Sequence, residues 1–370
     1  MLDVFFSVKH LLKFEQIRID NVIFALHYRV TRVVLVALSL LVSCKQYFGD
    51  PIDCIVDQIN SRTIDMFCWI QSTYTVPALA GALVGEEVAH PGVANYIAPL
   101  VDDESHQYVI RHHKYYQWVA LVLFLQSCMF YVPRYIWKCW EGGRVKGLVN
   151  VLNLPALRPD LKQERVRVIV DYFGRNFHRH NLYAYQFFLC ELLNFTNVVG
   201  QFYLTESFLG HGFNGYGPRV VQYAQQDPAR GLDPKDEVFP KVAKCTFHKF
   251  GSSGTIMRHD AICVLPLNIL NEKIYVSLWF CYVSRLLALA LISGCGLLYR
   301  MATFAHKIRP LILRARSRLA SKDKVEAIVQ RCRIGDWFIL SLLAKNMDPF
   351  MFRDFINDLS PKLLKKEHYS

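Results

Sequence analysis

The chain has 370 residues, 52% of them hydrophobic and 14% aromatic, and a formal charge of +12. That length could hold two soluble domains or one bundle of membrane helices with loops between them, and the apolar share favours the bundle. The Lys and Arg flank apolar stretches, which points to anionic membrane lipids and away from nucleic acid; eleven cysteines with no CxxC pair exclude a disulfide scaffold.

Residues 1–28 lack a long apolar run followed by a small-residue cleavage site, so the first span is expected to act as its own insertion signal. Within residues 1–16, Val4, Phe5, Val8, Leu11 and Leu12 share one side at helical spacing. Asp3, Ser7, Lys9, His10 and Lys13 fall elsewhere. The segment reads as a short amphipathic helix, either lying on the bilayer or folded into a channel mouth.

Four apolar stretches follow, and they are the expected spans: 29–48, 115–137, 182–204 and 274–299. The first carries Arg32 near its start, with Ser39 and Ser43 four apart on one face. The second begins Tyr115-Tyr116-Gln117-Trp118-Val119 and contains Pro133. About twenty residues at a rise of about 1.5 Å each suffice to cross a hydrocarbon core of about 30 Å. Tyr115, Tyr116 and Trp118 at one edge, and Tyr131, Tyr135, Trp137 and Trp140 at the other, read as a paired aromatic belt. Pro133 removes a backbone donor and is expected to bend this helix, which makes it a hinge candidate.

The third span holds Glu191, Asn194 and Asn197 on roughly one face, and the fourth holds Arg285 near its middle. A central Arg costs about 2.5–3.5 kcal/mol on insertion scales, against about 0.3–0.6 returned per Leu. Such residues face a partner or a water-filled cavity. Interhelical hydrogen bonding and a pore-lining role both satisfy that requirement.

Charge sets the orientation. Segment 134–181 holds ten basic and four acidic residues, and the tail from Arg300 holds fifteen and seven. Segment 45–112 holds three basic and nine acidic, and 205–272 seven of each. By the positive-inside rule both termini and the middle loop 138–181 are cytoplasmic. Loops 49–114 and 205–273 are outside. The cytoplasmic loop and the 300–370 tail contain helical patterns around 161–172 and 324–344, too polar to span. They are expected to pack beneath the membrane.

Topology sorts the cysteines. Cys54 and Cys68 fall in the first outside loop, Cys245 and Cys263 in the second. Four cysteines in an oxidising compartment signal disulfides, in any of three connectivities. Cys44 lies at the outer end of the first span, and the other six are expected to be reduced packing residues. Alternation of Cys245, Phe247 and Lys249 with a following Gly-Ser-Ser-Gly predicts a strand and a turn. The sequon at Asn194 lies within the third span and is expected to carry no glycan.

With these residues in view, the chain resembles the innexins, the gap-junction proteins of invertebrates, and reads closest to the insect members. YYQWV at 115–119, Pro133 and two cysteines per outside loop carry the resemblance. So do EVAHPGVAN from Glu87, WEGG from Trp140, FPKVAKCTFHKFGSSG from Phe239 and LPLNILNEKIY from Leu265. It covers residues 1–360, and stretches 76–86 and 205–237 look less standard.

The resemblance implies a mainly α membrane protein: a four-transmembrane-helix bundle with an N-terminal pore helix, disulfide-linked extracellular loops with some β-structure, and a helical cytoplasmic layer. It implies plasma-membrane gap junctions made of rings of this chain, alone or with other innexins, each docked to a hemichannel of the neighbouring cell. It implies pairing of Cys54 with Cys263 and Cys68 with Cys245, and makes Leu2, Asp3, Phe5 and Phe6 pore-lining candidates. Asp50, Asp53 and Asp57, just after the first span, are further candidates from their charge.

No cofactor, metal or enzymatic activity is expected. A membrane di-iron enzyme would need clustered histidines, but His106, His112 and His113 fall outside and His27, His178 and His180 inside. The remaining alternatives are an undocked hemichannel, as in the related pannexins, and a non-conducting adhesion scaffold.

Overall fold

The computed structural model describes residues 17–57, 59–82, 84–86, 88–93, 110–152, 159–210, 212–225, 233–284, 310, 313–314 and 319–366. The expected N-terminal helix with Leu2, Asp3, Phe5 and Phe6, together with His106 and Arg285, lies outside the described residues. The chain divides into two compact units. One comprises Met1–Val33, Cys128–Asn197 and Leu286–Ser370; the other comprises Val34–Ser127 and Val198–Arg285.

Among the described residues, two helices are long and apolar enough to cross a bilayer. α1 runs Val22–Phe48 and α3 runs Val119–Glu141. α1 starts seven residues ahead of 29, because Asn21 caps it: its side chain accepts from the Phe24 N–H at 2.7 Å. A π-helical stretch, Leu26–Thr31, lies within α1. Between α1 and α3 comes α2, Ser61–Gln71. α3 is preceded by a 3₁₀ turn, Tyr115–Gln117, and runs through Pro133.

The chain continues with α4 (Arg144–Leu152), α5 (Pro159–Arg175) and α6 (Asn181–Phe208). At 28 residues α6 is long enough to span. Its Glu191, Asn194, Asn197 and Gln201 lower its hydropathy. α7 (Tyr216–Ala224) and the short α8 (Pro234–Val238) precede the sheet hairpin. A helix over 266–284, α9, follows it. The described C-terminal part holds α10 (Lys322–Arg331), α11 (Ile334–Asn346) and α12 (Pro349–Lys366).

Sequence pattern suggests one helix over 324–344; the structure has two. Cys332 and Arg333 are extended, and the Arg333 N–H donates to Asp336 Oδ2 at 3.3 Å, so Asp336 starts α11 afresh. The first unit's core lies between these helices. Val166, Ile169, Val170 and Phe173 of α5 meet Phe352, Phe355, Ile356 and Leu359 of α12. Replacing one such side chain by Ala costs about 2–5 kcal/mol.

The second unit is built on a five-stranded antiparallel sheet of order β1-β5-β4-β2-β3. Its strands are β1 (Asp53–Ile55), β2 (Thr73–Thr75), β3 (Arg111–His113), β4 (Val242–Phe250) and β5 (Ile256–Val264). Three come from segment 49–114 and two from 205–273, so both segments share one sheet. The Gly-Ser-Ser-Gly turn closes the β4–β5 hairpin, with Gly254 at φ +80, where a side chain is disfavoured.

Candidate functional site

Along β4 and β5 side chains alternate between two faces. Ala243, Cys245 and Phe247 face one side with Ala261 and Cys263; Lys244 and Thr246 face the other with Asp260. The apolar face receives α2. Ile64 and Cys68, one turn apart, are fully buried against the sheet. Cys54 stands directly opposite Cys263 in the β1–β5 register, and the two are disulfide-bonded. Cys68 of α2 is bonded to Cys245 of β4. Each bridge therefore ties segment 49–114 to segment 205–273. Asp65 of α2 adds a third tie within the first of these, accepting from the Cys54 N–H at 2.7 Å and the Ser61 hydroxyl at 3.1 Å.

The YYQWV stretch is a packing centre and only partly an aromatic belt. Tyr116 is 1% exposed and stacks on Trp69 of α2 at 4.8 Å between centroids. Gln117 Nε2 donates to the Trp69 carbonyl. Tyr115 donates to the Val238 carbonyl at 3.2 Å and meets Phe239 edge-on. Trp118, 55% exposed, keeps the outward position that an interfacial ring requires, and Val119 is buried as the first residue of α3. The rings are drawn inward because α2 and segment 238–239 supply partners that bury them more completely than a headgroup layer.

The two stretches FPKVAK and LPLNILNEKIY meet at the start of α9. Asn268 Nδ2 donates to the Pro240 carbonyl at 2.8 Å, and Asn271 Nδ2 to Asn268 Oδ1 at 3.3 Å. The Glu272 carboxylate, 1% exposed, is surrounded by the ammonium groups of Lys273, Lys241 and Lys235 at 2.9, 3.4 and 3.7 Å. Burial disfavours the charge on Lys241, yet the hydrogen bond it donates to Asp236 and the fields of Asp236 and Glu272 outweigh it and raise its pKa. On the edge strand β3, His113 bonds Thr75 at 2.8 Å, and burial with nearby Arg111 and His112 pushes its pKa down to about 4. It is a neutral structural imidazole.

Asp50, Asp53 and Asp57 are all exposed. Asp53 points away from the α2 face of β1, opposite in phase to Cys54. Ser39 is buried and donates to the Ala120 carbonyl at 2.7 Å, so this face of α1 packs closely on α3. Gln126, Gln201 and Thr205 form a buried polar seam. Gln126 Nε2 donates to Thr205 Oγ1 at 3.0 Å, and Thr205 to the Gln201 carbonyl at 2.8 Å.

In the first unit Glu191 of α6 and Arg32 of α1 meet groups of the protein itself. Glu191 accepts from Asn21 Nδ2 at 2.6 Å, Asn194 is 3% exposed, and Asn197 is half-buried. Arg32 sits 4.3 Å over the Tyr131 ring. Arg134, next to Pro133, pairs with Asp20 at 3.2 Å, both side chains under a tenth exposed. The Tyr28 hydroxyl donates to the same Asp20 Oδ2 at 2.8 Å, and the Arg134 guanidinium lies 4.9 Å over the Tyr28 ring.

Asp336 is wholly buried and takes the His178 N–H at 3.1 Å and His180 Nδ1 at 2.7 Å. Beside it Gly335 leaves no room for a Cβ, which would stand 2.2 Å from the His180 carbonyl carbon. Sequence reasoning passed over Asp20, Asp65, Glu272 and Asp336. Asp20, Glu272 and Asp336 draw partners from remote segments, and Asp65 reaches back to the Cys54 N–H of β1.

A family model described as Innexin matches residues 20–363. The chain is 50% identical over 369 residues to Innexin inx2 of Drosophila melanogaster, covering 100% of this chain and 98% of that protein. It is 51% identical over 368 residues to Innexin inx2 of Schistocerca americana, covering 99% of each. It is 40% identical over 371 residues to Innexin shaking-B of Drosophila melanogaster, covering 100% of this chain and 97% of that protein.

Proposed function

The chain belongs to the innexin family, whose members are gap-junction channel subunits, and from that membership we propose how this sequence performs the role. Spans near 29–48, 115–137, 182–204 and 274–299 thread the bilayer with both termini cytoplasmic. Copies of the chain assemble in a ring, with or without other innexins. Two rings dock through segments 49–114 and 205–273, and ions and small metabolites pass between the cells. One observation carries this reading: the two segments share one sheet, closed by two buried disulfides. Loops stapled in this way hold a fixed shape, which docking of one ring on another requires.

Paired cells that each express only this chain test the reading. Current and small-dye transfer between them is expected. Current across single membranes without transfer would instead indicate an undocked hemichannel. Adhesion without current would indicate a scaffold.

Wide pores select by radius and wall charge. Asp50, Asp53 and Asp57 place three exposed carboxylates per subunit just after α1. We assign them to the passage wall, where they concentrate cations. The triple Asp→Asn channel should lose at least about half of its cation preference, read from the reversal potential in a salt gradient. An unchanged reversal potential would place the three carboxylates away from the passage.

A further inference from the structure

The five residues before α1 are held far more heavily than a connector requires. Arg18 forms a reciprocal pair with Asn346 at the end of α11. Its N–H donates to Asn346 Oδ1 at 2.7 Å, and Asn346 Nδ2 donates to its carbonyl at 2.8 Å. The next carbonyl, of Ile19, accepts from Trp137 Nε1 at 3.3 Å. The one after, of Asp20, accepts from Lys345 Nζ at 2.8 Å. Three successive backbone carbonyls are thus each bonded by a side chain, where a surface connector leaves them to water.

Two of the three donors are adjacent residues of α11. That helix is itself fixed at its other end. Asp336 bonds His178 and His180, Gly335 packs on the His180 carbonyl, and the Gly335 N–H donates to Asn181 Oδ1 at 3.0 Å. α11 is therefore a lever about 20 Å long between the start of α6 and the chain entering α1. Downstream of that chain, the π-helical stretch Leu26–Thr31 interrupts the regular ladder of α1, a place where a helix can change register.

We propose that Lys345 and Asn346 are positioning residues for the channel. Through the Arg18–Asp20 backbone, α11 sets the entry of α1 and thereby the voltage response of the junctional current. The proposal rests on the channel reading above.

Full-length protein tests it with two readouts: amide hydrogen exchange over residues 18–21 in the purified chain, and voltage dependence of current between paired cells. Lys345→Met loses the bond to the Asp20 carbonyl and Asn346→Leu loses both bonds to Arg18, whereas Lys345→Arg keeps its donor. Exchange is expected to quicken about two- to tenfold in the two loss variants. Their half-activation voltage is expected to move, and Lys345→Arg to match wild type on both readouts.

Unchanged exchange overturns the anchoring. Wild-type voltage dependence at normal junctional abundance overturns the control of gating. Lys345 is exposed, so its Met variant decides the question if Asn346→Leu does not reach the membrane. Absence of junctional current in the wild type would count against the channel reading itself, and the exchange rates would then judge the anchoring alone.

Discussion

Cells carrying Cys54→Ser or Cys263→Ser should show no junctional current, at surface levels well below wild type. The bridge between these residues spans a sequence separation of 209, and both half-cystines are at most 2% exposed. Removing a native disulfide typically costs about 2–5 kcal/mol. A second cost adds to it. The serine hydroxyl would be buried among Ile52, Ile64, Ala243 and Leu265, and an unsatisfied buried donor costs about 1–3 kcal/mol. The sum is a large fraction of the roughly 5–15 kcal/mol that holds a typical protein folded.

β1 is a three-residue strand at the sheet edge, held by this bridge, by its pairing with β5 and by the Asp65 clasp. Its release would free the segment between α1 and α2. Cys44→Ser provides the control: that cysteine is exposed and free, and its substitution should leave coupling at wild-type level. Wild-type coupling in Cys263→Ser would mean that docking does not depend on the stapled sheet.

The two long apolar helices α1 and α3 were legible because apolar length is a local property, and the β4–β5 hairpin because alternation and Gly-Ser-Ser-Gly lie within one stretch of chain. The three-residue strands β1, β2 and β3 were not, since three residues carry no measurable period. Only their pairing with remote segments defines them. α2 and α12 were missed although local signals existed. Asn60 caps α2, and Ile64 and Cys68 repeat at one turn. Asp348 caps α12, accepting from the Phe350 N–H at 2.9 Å, and Met351, Phe355, Leu359 and Leu363 repeat along one face.

The reading of Tyr115 and Tyr116 as a belt had a different cause. Their amphipathic rings suit a headgroup layer and a wet-edged protein pocket equally well. The choice depends on Trp69 and Phe239, which no local pattern points to. Glu191 shows the same limit: insertion cost identifies it as a residue in need of a partner, but only the fold supplies Asn21.

The buried pair of Asp20 and Arg134 should be as costly to break as the disulfide. Asp20→Ala leaves the Arg134 guanidinium, whose side chain is 4% exposed, without its carboxylate. It also takes the acceptor from the Tyr28 hydroxyl. Breaking a buried pair from one side costs about 3–5 kcal/mol, because the remaining charge stays desolvated. The lower figure is expected here, since Arg134 keeps its place over the Tyr28 ring. Arg134→Met exposes the converse problem at Asp20.

The double variant Asp20→Ala/Arg134→Met strands no charge and should be more stable than the less stable single variant. A double-mutant cycle on thermal unfolding in detergent should therefore show coupling of more than about 1 kcal/mol. Additive effects would mean that water already reaches the pair. The neighbouring Pro133→Ala channel separates packing from bending. It restores a backbone donor while leaving the ion pair in place, so it should fold normally. Any change in its voltage response would then report what Pro133 does to α3 alone, and an unchanged response would remove Pro133 as a hinge.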